Sequence, residues 1–442
     1  MRPSTNPLIP VTISRKLTRP FVRFFRVEAA GGIVLLICTL LALALANIPA
    51  TAEAFHHLWH TPTAIGIGEF ALNQPLEFWI NDGLMTIFFF VVGLEIKREI
   101  VHGELRDPKK AALPVLGALG GMLAPAGVYL IFESSGPGRN GWGIPMATDI
   151  AFVVGFLALL GKRVPSGLKI FLLSLAIADD IGAVLVIAIF YSTDLSLMLL
   201  GLGGAGFALM LLMNRIGVRS VPLYVVVGAT IWLCFLKSGV HPTIAGVIIG
   251  LITPTTAHIA DDFLAVVVNR VNEDLTRPGE LHDHHSGSLE ALQFAAKEAR
   301  SPLERLETGL HPWVAFLIMP LFALANAGVT VQPAAVSGMV ALAVACGLLL
   351  GKPLGITLFC WLAVKSRVAR LPTNVTWPVM VGAGSLGGIG FTMSIFVAGL
   401  ALKGELLDAA KIGTLAGSCA SAILGCSILL MTMKSSGTTS DE

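Results

Sequence analysis

Apolar stretches close to the roughly 20 residues that a helix needs to cross a bilayer recur along the whole chain. Their pattern predicts about twelve spans, at 29–49, 77–97, 111–132, 141–160, 166–191, 195–213, 220–236, 239–253, 310–329, 336–364, 377–401 and 407–432. The expected organisation is therefore an N-terminal segment 1–28, a twelve-helix domain 29–432 and a tail 433–442. Residues 50–76 hold no Lys or Arg, and Ile65, Ile67, Phe70 and Leu72 alternate around Gly68-Glu69, which predicts a small external β-hairpin. Residues 254–309 form a long polar connection in which Glu290 to Arg305 reads as an amphipathic surface helix.

Two spans are punctuated in a way that a lipid-facing helix does not need. In span 4, Gly141, Gly143 and Pro145 lead into Ala147-Thr148-Asp149; in span 11, Gly384, Gly387, Gly388 and Gly390 lead into Phe391-Thr392. Spans seven apart cross in opposite directions, so helices 3–5 and 10–12 can form an inverted-topology repeat with discontinuous, crossed helices 4 and 11. The alternative is that these glycines only permit close helix packing.

Basic residues collect in alternate loops: Arg15, Lys16, Arg19, Arg23 and Arg26; Lys97, Arg98, Arg106, Lys109 and Lys110; Lys162, Arg163 and Lys169; Arg215 and Arg219; Lys365, Arg367 and Arg370. Opposite loops hold scattered cases such as Arg139, Lys237 and Lys403. Both termini are thus expected in the cytoplasm. Composition agrees with a bilayer as solvent: only 13% of residues are charged, against about 25% in soluble domains, and mean hydropathy is +0.79. The net charge of +2 gives no reason to expect a nucleic-acid partner. The six cysteines lie in apolar stretches without metal-site spacing and read as core or lipid-facing residues. The first span follows an Arg-rich start and precedes Ala50-Thr51-Ala52, but it is longer than a signal-peptide core, so a retained span is expected.

Asp179 and Asp180 stand midway along span 5, where buried charge is costly and usually functional. On a helix they diverge by about 100°. Span 4 adds Thr148 and Asp149, and span 10 adds Lys352 in Gly-Lys-Pro-Leu-Gly, all near mid-depth. Carboxylates, a hydroxyl and backbone carbonyls freed by the breaks are hard ligands suited to a small cation such as sodium or lithium. Asp149 and Lys352 are expected to neutralise the helix ends where the breaks meet. Desolvation and a like-charged neighbour favour proton retention on such carboxylates. Sodium and protons then compete for the same oxygens, and a cavity open alternately to each side makes that competition an exchange. No cofactor is called for.

These stretches, Ala147-Thr148-Asp149-Ile150-Ala151-Phe152, Ala178-Asp179-Asp180-Ile181-Gly182-Ala183, Gly351-Lys352-Pro353-Leu354-Gly355 and Gly388-Ile389-Gly390-Phe391-Thr392-Met393-Ser394, closely resemble the bacterial NhaA sodium/proton antiporter family. So do Asn81-Asp82-Gly83, Val92-Gly93-Leu94-Glu95-Ile96-Lys97-Arg98-Glu99 and Leu310-His311-Pro312-Trp313, and the likeness covers nearly the whole chain. The resemblance implies an all-α membrane protein of twelve helices with an inverted repeat, a homodimer joined partly through the hairpin, and electrogenic exchange of sodium or lithium for protons across the bacterial inner membrane. By motif, Asp180 would be the principal cation ligand and Asp179 the partner that also pairs with Lys352. Thr148 and Asp149 match the family's helix-crossing residues. The pH-response region maps onto Glu95, Lys97, Arg98, Glu99, Glu307 and His311, and His241 resembles a family histidine that influences pH response, a capping role being the alternative. Thr308 stands where family members can have a second histidine, which together with the enlarged preceding loop bears on the pH set-point. Asp82 reads as a dimer-side or capping residue, and His282-Asp283-His284-His285 as a solvated linker rather than a metal or pH site.

Three rivals remain distinguishable. A sodium-coupled solute symporter needs an organic-substrate pocket in addition. An intramembrane aspartyl protease places its acids on different helices, commonly in a Gly-x-Gly-Asp setting that is absent here. A channel has no use for protonatable groups at a sealed midplane.

Overall fold

The computed structural model describes residues 13–433 apart from 68–69, 193–194, 219, 257–265, 270, 272–289, 291, 296–297 and 331–337. The His282–His285 cluster lies outside the described residues. All twelve expected spans are helical. They are α1 (Ile13–Asn47); α3 (Met85–Val101), entered through a π turn at Trp79–Leu84; α4 (Pro108–Phe132); a 3-10 segment (Arg139–Met146) with α5 (Ile150–Leu160); α6 (Ser166–Phe190); α7 (Leu197–Ile216); α8 (Val221–Ser238); and α9 (Thr243–Ile252). Then come α10 (Pro302–Trp313) with α11 (Met319–Asn326); α12 (Met339–Cys346) with α13 (Lys352–Lys365); α14 (Trp377–Gly387) with α15 (Phe391–Ala401); and α16 (Glu405–Met433). Among the described residues, nine stretches are long and apolar enough to span a membrane, and the bent pair α14–α15 makes a tenth.

The hairpin is present as β1 (Pro62–Ile67) and β2 (Phe70–Pro75), antiparallel and in register from Pro62 opposite Pro75 to Ile67 opposite Phe70. A helix precedes it that the pattern did not suggest, α2 (Pro49–His60), seated by the buried rings of Phe55 and Trp59. The expected surface helix from Glu290 to Arg305 does not run through. Its backbone turns at 299–300, and Ser301 then caps α10 by accepting from Glu304 N at 3.2 Å. Pro302 at the first helical position fits that start, so span 9 begins earlier than the pattern predicted.

The chain divides into two compact units, Met1–Asn81 with Lys109–Val186 and Ala315–Glu442, and Asp82–Pro108 with Ile187–Val314. In the first, α1 lies on α5 and α11, while α16 is flanked by α12, α14 and α15. Helices α4 and α13 cross at Gly120 and Gly355, where a Cβ on either would strike the other's carbonyl oxygen. In the second unit α3 packs on α9 and α10, and α7 on α8. Gly93, Gly246 and Gly250 bring the backbones of α3 and α9 together, since a Cβ on Gly93 would meet Val247 O and one on Gly246 would meet Thr86 O.

Proline shapes two of these helices. Pro320 and Pro353 cannot donate to the carbonyl four residues back, and each follows a π turn, Val314–Ile318 and Gly347–Gly351. Such turns leave carbonyls open and often mark functional sites. Lys352 stands at the end of one.

Candidate functional site

Both punctuated spans are interrupted at the same place in the first unit. Asp149 N donates to Ile389 O at 2.7 Å, and Thr148 Oγ1 donates to Gly387 O at 2.9 Å, so the extended residues of one break are tied to the other. Ser394 Oγ reaches Ile144 O at 2.7 Å, and the Phe152 and Phe391 rings meet edge to face at 4.8 Å. The breaks cross, which decides against the packing-only alternative.

At this crossing α5 and α15 both begin. Helix N-termini carry unsatisfied N–H groups and partial positive charge. One carboxylate serves both: Asp149 Oδ1 accepts from Phe152 N at 3.2 Å, and Oδ2 accepts from Thr392 N at 3.0 Å and from Thr392 Oγ1. The 3-10 segment and α14 both end there, and Lys352 faces that side. Its ammonium donates to Thr148 Oγ1 and to Asp179 Oδ2, each at 2.6 Å. The expected neutralising roles of Asp149 and Lys352 therefore have a geometric basis.

Lys352 and Asp179 are each 1% exposed, and Asp180 is 3% exposed. An isolated buried charge costs several kcal/mol; here an ion pair and a hydroxyl offset it. Asp180 lies close enough to Lys352 to act on its charge. Asp179 uses one oxygen on the lysine, and its Oδ1 has no hydrogen-bond partner among the described residues. A carboxylate oxygen kept from water and from donors suits an incoming cation or proton.

The "Na+/H+ antiporter 1" family model matches residues 22–429, nearly the whole chain. The chain belongs to the Na+/H+ antiporter 1 family. Relatives agree along their length. The Na(+)/H(+) antiporter NhaA of Rhodopirellula baltica is 48% identical over 96% of this chain and 97% of that relative. That of Rhizobium meliloti is 50% identical over 93% and 94%, and NhaA 2 of Sorangium cellulosum 51% over 94% and 90%. The antiporter is a multi-pass membrane protein that exchanges sodium ions for protons.

The antiporter's expected pH-response residues fall in its second unit, in two places. Arg98 on α3 is bonded to Glu307 on α10 and lies 3.7 Å from Glu99. Glu95 acts on Arg98 and His311 on Glu307, all four acidic or imidazole groups being wholly or mostly buried. Lys97, half-buried, joins none of these bonds. His241 stands apart: its Nδ1 is 2.8 Å from Thr243 Oγ1 and its Nε2 3.3 Å from Asp82 Oδ1. Asp82 precedes α3 and Arg98 nears its end, so the two places are separated by about 24 Å of helix. Asp82 is thus a histidine partner.

Thr392 and Ser394 fall in the stretch 388–394 that carries the family resemblance, without a role read for either, and Ser418 on α16 is marked by neither charge nor motif. A signal existed on α16, where Thr414, Ser418 and Ser421 recur at helical spacing on the buried face of an apolar helix.

Proposed function

We propose that Asp179 and Asp180 form the seat for which sodium or lithium and protons compete, with Asp180 the principal ligand. Lys352 braces Asp179, and Thr148 and Asp149 hold the crossing. The observation that carries this is the buried Lys352–Asp179 pair at the crossed breaks, with Asp179 Oδ1 left unbonded. A cation that enters displaces protons from the carboxylates, and alternating exposure of the seat to the two sides turns displacement into secondary active transport. Two carboxylates can release two protons for one monovalent cation, so the exchange is electrogenic. We place the protein in the bacterial inner membrane as a homodimer with both termini cytoplasmic. There it extrudes sodium and regulates cytoplasmic pH through Glu95, Lys97, Arg98, Glu99, Glu307, His311 and His241.

Reconstituted vesicles with an acid interior test this. Sodium and lithium are expected to discharge the proton gradient, potassium and choline not, and an imposed membrane potential is expected to change the rate. An equal response to potassium would sink the small-cation seat, and rates indifferent to potential would reject unequal stoichiometry.

A further inference from the structure

A helix starting away from water needs acceptors for its first N–H groups, and the preferred source is a Ser, Thr, Asp or Asn at its own N-cap. For α5 the N-cap is Asp149, which does this work itself. For α15 the N-cap is Gly390, which has no side chain to offer. Nor has it room for one: a Cβ there would lie 3.0 Å from Ala147 O and 2.9 Å from Leu348 Cδ2, and would collide with Ser394 Oγ. A side chain at this position would have to push Ser394 and Leu348 aside and press on Ala147 O, so the closeness of the crossing disfavours a local cap.

The missing acceptor comes from another helix. Ser418 on α16 is 5% exposed, and its Oγ accepts from Gly390 N at 3.2 Å and Phe391 N at 3.1 Å. The next N–H, that of Thr392, goes to Asp149. We propose that Ser418 is a positioning residue of the ion site, a cap in trans that fixes where α15 begins and offsets the positive field of its N–H groups. This inference rests on the seat proposed above.

The groups that feel this field are few. Asp149 faces it from the opposite break, Lys352 from the start of α13, and Asp179 and Asp180 from α6. Helices α5, α14 and α15 and the π turn before Lys352 carry no titratable side chain, and α12 only Cys346. Arg139 is at the start of the 3-10 segment; Glu405, Asp408 and Lys411 are at the start of α16 and Cys419 and Cys426 along it. Removing the hydroxyl leaves two buried N–H groups bare. Positive potential at the seat rises, which weakens sodium binding.

Exchange by full-length protein in vesicles reads this out. Ser418→Ala is expected to raise the KM for sodium at alkaline pH about five- to tenfold, the scale of a lost helix cap, with a smaller change in kcat. Ser418→Thr, which keeps the acceptor, is expected to restore the KM. Should the alanine variant not fold, Ser418→Cys keeps the volume with a poorer acceptor and carries the same comparison. An unchanged KM in the alanine or cysteine variant would overturn the proposal, as would a threonine variant no better than alanine. Asp180→Asn separates the two levels of inference: exchange surviving in it means the seat is misplaced, whereas its loss beside a wild-type Ser418→Ala removes only the role of Ser418.

Discussion

At Asp179 the protein holds a carboxylate whose two oxygens live differently, one on an ammonium and one unbonded. Removing one partner of a buried ion pair typically costs about 3–5 kcal/mol because the survivor keeps its desolvation penalty. Lys352→Ala is therefore expected to lower thermal stability in detergent by that order. Lys352→Arg keeps a charge for Asp179 but changes the donor geometry, so partial exchange with altered pH dependence is expected. Asp180→Asn keeps size and loses the charge that sodium and proton both need. Calorimetry at alkaline pH should show no sodium binding, and wild-type affinity would mean the ligand lies elsewhere. These residues were legible because charge inside an apolar span is rare and expensive. Ser418 was not, because hydroxyls in such helices are common and usually bond their own backbone, as Thr39 does to Leu35 O.

Single helices show what the pattern of apolar residues can and cannot reveal. The spans were readable from length and hydropathy, and both breaks from their glycines, because a buried interruption leaves few other uses for that sequence. Helix α2 went unread: it is only 12 residues long, and the stretch 50–76 reads as a whole as the external hairpin connection. The start of α10 was written in Ser301-Pro302-Leu303-Glu304, an N-terminal capping pattern, but the apolar run that marks the span begins farther on, near Leu310. Glycine also sets how closely helices cross. In Gly355→Ala the new methyl meets the Gly120 carbonyl, a backbone atom that cannot rotate away. Overpacking of this kind costs about 1–3 kcal/mol. A lower unfolding temperature of the purified variant is expected, and an unchanged one would mean that α4 and α13 can separate at no cost.

Across the molecule, the two halves of the repeat have diverged in charge. Counted from the N-cap of the broken helix that precedes each, Asp149 for α5 and Gly390 for α15, α16 has Ala420 and Ser421 where α6 has Asp179 and Asp180. The seat's carboxylates come from one half, and the lysine and the neutral cap Ser418 from the other. A broken helix would ordinarily be the softest part of a fold, where backbone amides trade hydrogen with water soonest. Here the amides at the crossing are bonded, across the repeat from Asp149 to Ile389 and from Thr392 to Asp149, and within one half from Gly390 and Phe391 to Ser418. Deuterium uptake is therefore expected to be among the slowest in the protein at 149 and 390–392, with or without sodium. Fast uptake there would mean that the crossing melts during turnover. Slow uptake would mean that it travels intact, so that an interruption in the secondary structure behaves in time as one of its most lasting parts.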